Sequence, residues 1–259
     1  MRLLAFFFSL QLISLAPAAG ADLYLKYKLY ALGLPIGSGV LLLNVNDESY
    51  SLSANGQTAA FGRLVSDGRG SAEVRGGVRD RNLQPEAYSL DIKSEDDSGS
   101  VAMTIRSRDV KKVAVDPPQD RMKERIKVTA GHLKNVLDPL SAAILPAPNG
   151  LKKESCNRTL RIYDGKERYD AHLSYKSTRT TKTADRRFKG KVIVCRVRYE
   201  PVSGHRPKRK AIQELAANKS MEVWLAPVGS KPYLVPLRAA ISLPFGSLVV
   251  EAEKYKLSD

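Results

Sequence analysis

The chain has 259 residues, 43% of them hydrophobic and 27% charged, with two cysteines, three histidines and a formal net charge of +15. The apolar fraction supplies ample material for a core, and the charge favours anionic partners such as phosphorylated lipids, acidic polysaccharide or a membrane face. No metal-ligand spacing links the histidines and cysteines, so neither a metal nor a cofactor is expected.

Residues 1–21, MRLLAFFFSLQLISLAPAAGA, have Arg2 as a basic start, an apolar run from Leu3 to Leu15 and an A-x-A ending at Ala19-Gly20-Ala21. This is the pattern of a secretory signal peptide cut between Ala21 and Asp22. An apolar run of about 13 residues falls short of the roughly 20 needed to span a bilayer. A soluble periplasmic protein is therefore expected, with net charge +14 once Arg2 is lost. Export also argues against nucleic acid as a partner, since no recognition motif is present. The remaining 238 residues, 22–259, read as a single β-rich domain.

From Asp22 to Val45, Leu23, Leu25, Tyr27 and Leu29 alternate with Tyr24, Lys26 and Lys28, and Gly33–Gly37 breaks the run, which predicts a hairpin. A third strand follows over Glu48–Thr58, and Thr58–Val65 fits a short helix weakened by Gly62. Further strands are expected at Ser71–Val78, Glu86–Lys93, Ser100–Ser107 and Val110–Val115, separated by the turn chemistry of Asp80-Arg81-Asn82 and Asp96–Gly99. After Pro117-Pro118 the charged run DRMKERIKV is compatible with helix or extended chain. At Leu137–Pro146, Asp138 can cap a short apolar helix with Pro139 in its first position and Pro146 as its stop.

Between Cys156 and Cys195 lie two alternating segments joined at Asp164-Gly165, a basic stretch and a third strand. Asp-Gly predicts a two-residue hairpin turn pairing Thr159–Tyr163 with Lys166–Leu173. An even cysteine count in an exported chain favours one disulfide over two buried thiols. Arg179, Lys182, Arg186 and Arg187, in a basic loop over Lys176–Lys191, are candidates for anion binding, against the alternative of a solvated, mobile hairpin end. A helix near Lys208–Asn218, a strand with the sole tryptophan, Trp224, and a last hairpin about Pro244–Gly246 complete the chain. The total of 11 to 13 strands with two or three short helices points to a mainly β fold: one large curved antiparallel sheet or open β-barrel.

No G-x-S-x-G, S-x-x-K or H-E-x-x-H motif occurs. Glu95, Asp96 and Asp97 read as solvated turn acids, and His205 reads as a loop histidine bonded to backbone, with a general base near Asp164 or Asp170 as the alternative. No catalytic residue is expected.

The segments Leu137-Asp138-Pro139-Leu140-Ser141-Ala142, Ile162 to Tyr169-Asp170, Cys195 through Gly204-His205-Arg206-Pro207, and Glu222-Val223-Trp224-Leu225-Ala226-Pro227, with Gly33–Gly37, follow one another in an order that resembles the DUF3108 family of exported proteobacterial proteins of unknown function. The resemblance covers nearly all of the chain after residue 21 and carries over no catalytic residue. It implies an architecture similar to the helix-plugged curved sheets of periplasmic lipoprotein and lipid carriers. The expected function is a non-enzymatic role in envelope integrity, with an apolar ligand, a lipid or acyl chain, held inside the curve under the Asp138–Leu145 helix. The alternative is a scaffold that recognises phosphorylated glycolipid or a partner protein through its basic surface, with peripheral membrane association.

Overall fold

The computed structural model describes residues 22–58, 67–95, 98–118, 124–243 and 246–258. The expected leader up to Ala21, residues 59–65 of the expected helix, Asp96-Asp97, Gln119 with residues 120–123 of the charged run, and Pro244-Phe245 lie outside the described residues. Fourteen strands occupy β1 (Leu23–Ala31), β2 (Leu34–Val45), β3 (Ser49–Thr58), β4 (Arg69–Arg79), β5 (Asn82–Lys93), β6 (Ser98–Arg106), β7 (Asp109–Asp116), β8 (Leu145–Pro146), β9 (Arg158–Tyr163), β10 (Arg168–Lys182), β11 (Lys189–Ser203), β12 (Glu222–Val228), β13 (Lys231–Leu243) and β14 (Gly246–Leu257). Two short helices, α1 (Pro139–Ala143) and α2 (Lys210–Ala217), join them.

Alternation drives most of this. The first hairpin is tighter than its Gly33–Gly37 break suggests, because only Leu32 and Gly33 leave the strands, both at positive φ (55° and 80°). Asp80-Arg81 and Ser107-Arg108 make the same kind of turn, again with both residues at positive φ. Such turns follow the right-handed twist of the strands they join.

The strands form one antiparallel sheet in the order β7-β6-β5-β4-β3-β2-β1-β14-β13-β12-β11-β10-β9, with β8 pairing β13. It is not closed: β7 and β9 are its two edges. The main core lies on one face and includes Leu23, Leu25, Leu43, Leu52, Val74, Met103, Val192 and Val235. Where the edges approach, residues 135–137 act as a strap. Val136 N–H donates to the Arg108 carbonyl (2.8 Å) in the β6–β7 turn, and Leu137 N–H to the Arg161 carbonyl (2.8 Å) of β9. Tyr163 N–H returns a bond to the Leu137 carbonyl at 2.9 Å. α1 follows the strap and packs against β3, β4 and β9 with Ser141 and Ala142 buried, so it plugs this end of the sheet.

A second core sits on the opposite face of β10–β13, where Ile193 and Cys195 alternate with Val192 of the first core and with buried Val194. It is covered by β8 and the segment leading to Cys156, with Leu145, Ala147, Leu173, Leu225 and Leu234 completing it. Leu145 and Pro146, expected to end the helix, instead pair with Leu234 and Tyr233. The Cys156–Cys195 disulfide (Cα–Cα 5.4 Å) pins this cover to the sheet, and both half-cystines are fully buried.

Closing a loop of 39 residues of sequence separation stabilises the native state by about 4 kcal/mol in the chain-entropy account. Cys156→Ser should therefore lower the melting temperature of oxidised protein by roughly 10 °C in calorimetry. Reductant should destabilise the wild type but leave the variant unchanged.

Candidate functional site

The residues singled out in the sequence gather at two places. The first is the β9–β10 hairpin end. Asp138 caps α1: its Oδ1 accepts the backbone N–H of Leu140 (3.0 Å) and Ser141 (2.9 Å), and its Oδ2 accepts the Ser141 hydroxyl (2.5 Å). Ser141 Oγ is in turn 2.6 Å from the Tyr50 hydroxyl of β3. Asp138 has no exposed surface, and burial pushes its carboxyl above the usual carboxylate range. Pro139 takes the first helical position, where the N–H it lacks has no helical partner.

Asp164-Gly165 opens a four-residue turn, not the two-residue one expected, because the side chain of Asp164 supplies the closure. Its Oδ1 accepts the N–H of Lys166 (2.8 Å) and of Glu167 (2.6 Å), and its own N–H meets the Glu167 carbonyl at 3.2 Å. Only Gly165 has positive φ there (99°). Pairing therefore starts with Tyr163 opposite Arg168, bringing Ile162 opposite Tyr169 and Leu160 opposite Ala171. Arg168 is buried and pairs with Asp170 at 2.7 Å, and the Tyr169 ring lies 5.4 Å from that of Tyr199. Gly204 presses on this turn: a Cβ there would lie 2.1 Å from the Lys166 carbonyl oxygen, and its φ of +83° suits glycine.

His205 is buried beside Gly204, and its carbonyl accepts the Ile126 N–H at 3.1 Å. Asp138, Pro139, Asp164, Gly165, Tyr169, Asp170, Gly204 and His205 thus form one connected region. Burial raises the Asp164 and Glu167 carboxyls and pushes Tyr163 and Tyr199 to about 12. Asp138 and Asp164 accept backbone or side-chain donors, Asp170 is ion-paired with Arg168 and Glu167 lies 3.7 Å from Arg125, and the region holds the strap, the plug and the hairpin together. Among the described residues, no three His, Cys, Asp or Glu side chains are grouped to hold a metal ion.

The basic run from Lys176 to Lys191, expected as a loop, is mostly strand, since its threonine-rich stretch Thr178-Arg179-Thr180-Thr181 extends β10 to Lys182. Arg179 projects from β10 over the Trp224 indole (5.3 Å to the ring centroid), and Arg238 approaches the same ring at 5.3 Å. The indole N–H donates to Glu222 (2.9 Å), which also binds Lys176. Lys182, Arg186 and Arg187 lie at the hairpin end, which is anchored by Thr183, Asp185 and Phe188, whose ring lies 5.1 Å from that of Tyr255.

The second place was not foreseen. With core side chains filling the inner face of β1–β7, the alternate positions point outward, and many of them are small: Ser51, Ser53, Asn55, Ser71, Ala87, Ser89, Ser100 and Ala102, among the charged Glu73, Arg75 and Lys112. They floor two open hollows on one face. One, of about 1020 Å³, lies over Leu42, Ser53, Ala87, Ser89, Ala102 and Ala114. The other, of about 940 Å³, lies over Asn55, Ser71 and Ser100 and is rimmed by Lys26, Arg69, Asp91, Lys93, Asp116 and Lys254. The signal for this groove was the run of small outward residues, which alternation alone reads only as a solvated face.

The family profile for proteins of unknown function DUF3108 matches residues 26–253. The chain belongs to the DUF3108 family. A β-barrel-like protein from Brucella abortus, of the domain of unknown function DUF1849, has a similar fold. The two share 9% identity over 93% of this chain and 99% of that one, with a TM-score of 0.51. A candidate lipoprotein from Parabacteroides distasonis, 10% identical, matches 93% of this chain and 97% of its own at a TM-score of 0.35. No curated protein matches. As a DUF3108 member the chain is a mainly β protein, and no helix among the described residues is long and apolar enough to cross a membrane.

The buried cap of this DUF3108 chain is testable. Asp138→Ala removes an N-cap and leaves the Ser141 hydroxyl short of its acceptor, at a cost of about 2–4 kcal/mol in denaturant unfolding; Asp138→Asn should lose less. Because burial raises the folded-state pKa of Asp138, its contribution is greatest below the ordinary carboxylate range, about pH 4, and is lost as pH rises through the raised value. The stability of the wild type relative to Asp138→Asn should fall across that window.

Proposed function

We propose that the protein is a non-enzymatic periplasmic binding protein of the cell envelope that lays an amphiphilic ligand, an acyl chain with a polar head, along the outer groove of β2–β7. The carrying observation is the gradient along the groove. Leu42, Ala87, Ala102 and Ala114 make one end the more apolar, although Glu73, Arg75 and Lys112 share its lining, while Lys26, Arg69, Lys93 and Lys254 give the other a cationic rim with Asp91 and Asp116 between. A tail lies on the first and an anionic head on the second, the combination of apolar lining and few polar contacts that small-molecule sites use. This moves the ligand from the inside of the curve, where packed side chains and α1 occupy the space, to the outside. Asp138 and Asp164 support the non-enzymatic reading, since their oxygens accept donors of the scaffold.

The test is uptake of a fluorescent fatty acid, cis-parinaric acid, by the exported protein, with native mass spectrometry and organic extraction to identify bound lipid. Ala102→Arg, on the floor of the apolar end, should weaken uptake by about tenfold with an unchanged melting temperature. No uptake, or equal uptake by the variant, overturns the reading.

A further inference from the structure

We infer that the end of the sheet formed by the β1–β2 turn and the start of β14 inserts into the surface of an anionic lipid bilayer. Four aliphatic side chains stand out there: Leu32 is 63% exposed, Leu34 47%, Leu248 40% and Val250 36%. They are neighbours, since Ala31 lies opposite both Leu34 and Leu248 and Leu29 lies opposite Val250. The turns interlock, with Leu32 N–H donating to the Ser247 carbonyl at 2.9 Å. A Cβ on Gly246 would come within 2.2 Å of Leu32 Cδ2, so glycine leaves the room that the leucine side chain uses.

The composition is as unusual as the exposure. In a chain with 27% charged residues, stretches 29–46 and 239–250 hold no Asp, Glu, Lys or Arg, and they meet at this end. Leu32 also occupies a left-handed turn position that suits Asn or Asp and strains a branched apolar side chain. Among the described residues, the two other turns of this kind carry Asp80-Arg81 and Ser107-Arg108. Solubility and turn geometry both argue for a polar residue at position 32; an apolar surface to enter accounts for the leucine.

A second copy of the chain does not suit this end. A stable protein interface takes about 800 Å² from each partner, far beyond four side chains about one turn, and the net charge of +14 that follows from removing Arg2 repels a like molecule. An anionic bilayer is attracted instead. Exposed Lys219 is placed beside the tip, because Asn218 Nδ2 (2.8 Å) and Ser220 Oγ (3.3 Å) both donate to the Ser242 carbonyl. This inference does not require the groove to bind anything.

The experiment is co-sedimentation of the exported, processed protein with vesicles of phosphatidylcholine alone and with roughly a third phosphatidylglycerol. Binding to the anionic vesicles is expected, reduced about tenfold by Leu32→Asn, with the melting temperature of the variant equal to or above that of wild type because asparagine suits the turn. Leu248→Ser should weaken binding in the same direction and guards against a folding defect in the first variant. Several results overturn the inference: no sedimentation with anionic vesicles; binding abolished by about 0.5 M salt yet indifferent to both substitutions, which leaves plain charge attraction; or a wild-type dimer in analytical ultracentrifugation that Leu32→Asn renders monomeric, which gives the patch to a second copy.

Discussion

The ladder between β1 and β14 is the constraint on which the rest of the fold depends. It runs from Leu23 opposite Leu257 to Ala31 opposite Leu248 and places the two ends of the described chain at the middle of the sheet. The other ladders of the thirteen-strand path join strands that follow one another in sequence. The molecule is therefore two meanders sewn together along one seam, and its main core spans that seam: Leu23 and Leu25 from one side, Ala252 and Tyr255 from the other. Because closing such a distant pair costs chain entropy before any contact rewards it, neither meander can complete its inner face until the last strand is in place.

Much of this was legible in the residues. Alternation located nearly every strand, Asp138-Pro139 announced α1, and the lone cysteine pair announced the disulfide. What escaped has physical causes. A period of two separates the faces of a strand but does not say which face is covered. The continuous run Val192-Ile193-Val194-Cys195 signals burial on both sides, and the structure gives each face its own core. The turn at Asp164 lengthened because a carboxylate accepting two N–H groups competes with the glycine preference that favours a two-residue loop. β10 absorbed much of the basic run because Arg179 finds a ring to rest on, whereas in sequence a string of Lys, Arg and Thr looks like a solvated loop.

The candidate site was legible in a different sense. The motif residues about Asp138, Asp164 and Gly204 do converge, but on architecture: they join a strap, a plug and a hairpin across the gap between the sheet edges. The groove is made by residues too plain to draw notice, serines and alanines whose shared property is what they leave empty. Trp224, the most conspicuous side chain of all, lies between two guanidinium groups as a packing element.

The sheet is clad unevenly. β11–β13 are packed on both faces and fastened by the disulfide, whereas β5–β7 have side chains packed on one face and end in β7, an edge strand whose residues are mostly exposed. Stability within a fold follows such differences in buried contact. The C-terminal half is the more firmly packed frame, and by that difference the N-terminal edge is where amides should exchange first, so the groove floor belongs to the more compliant part of the molecule.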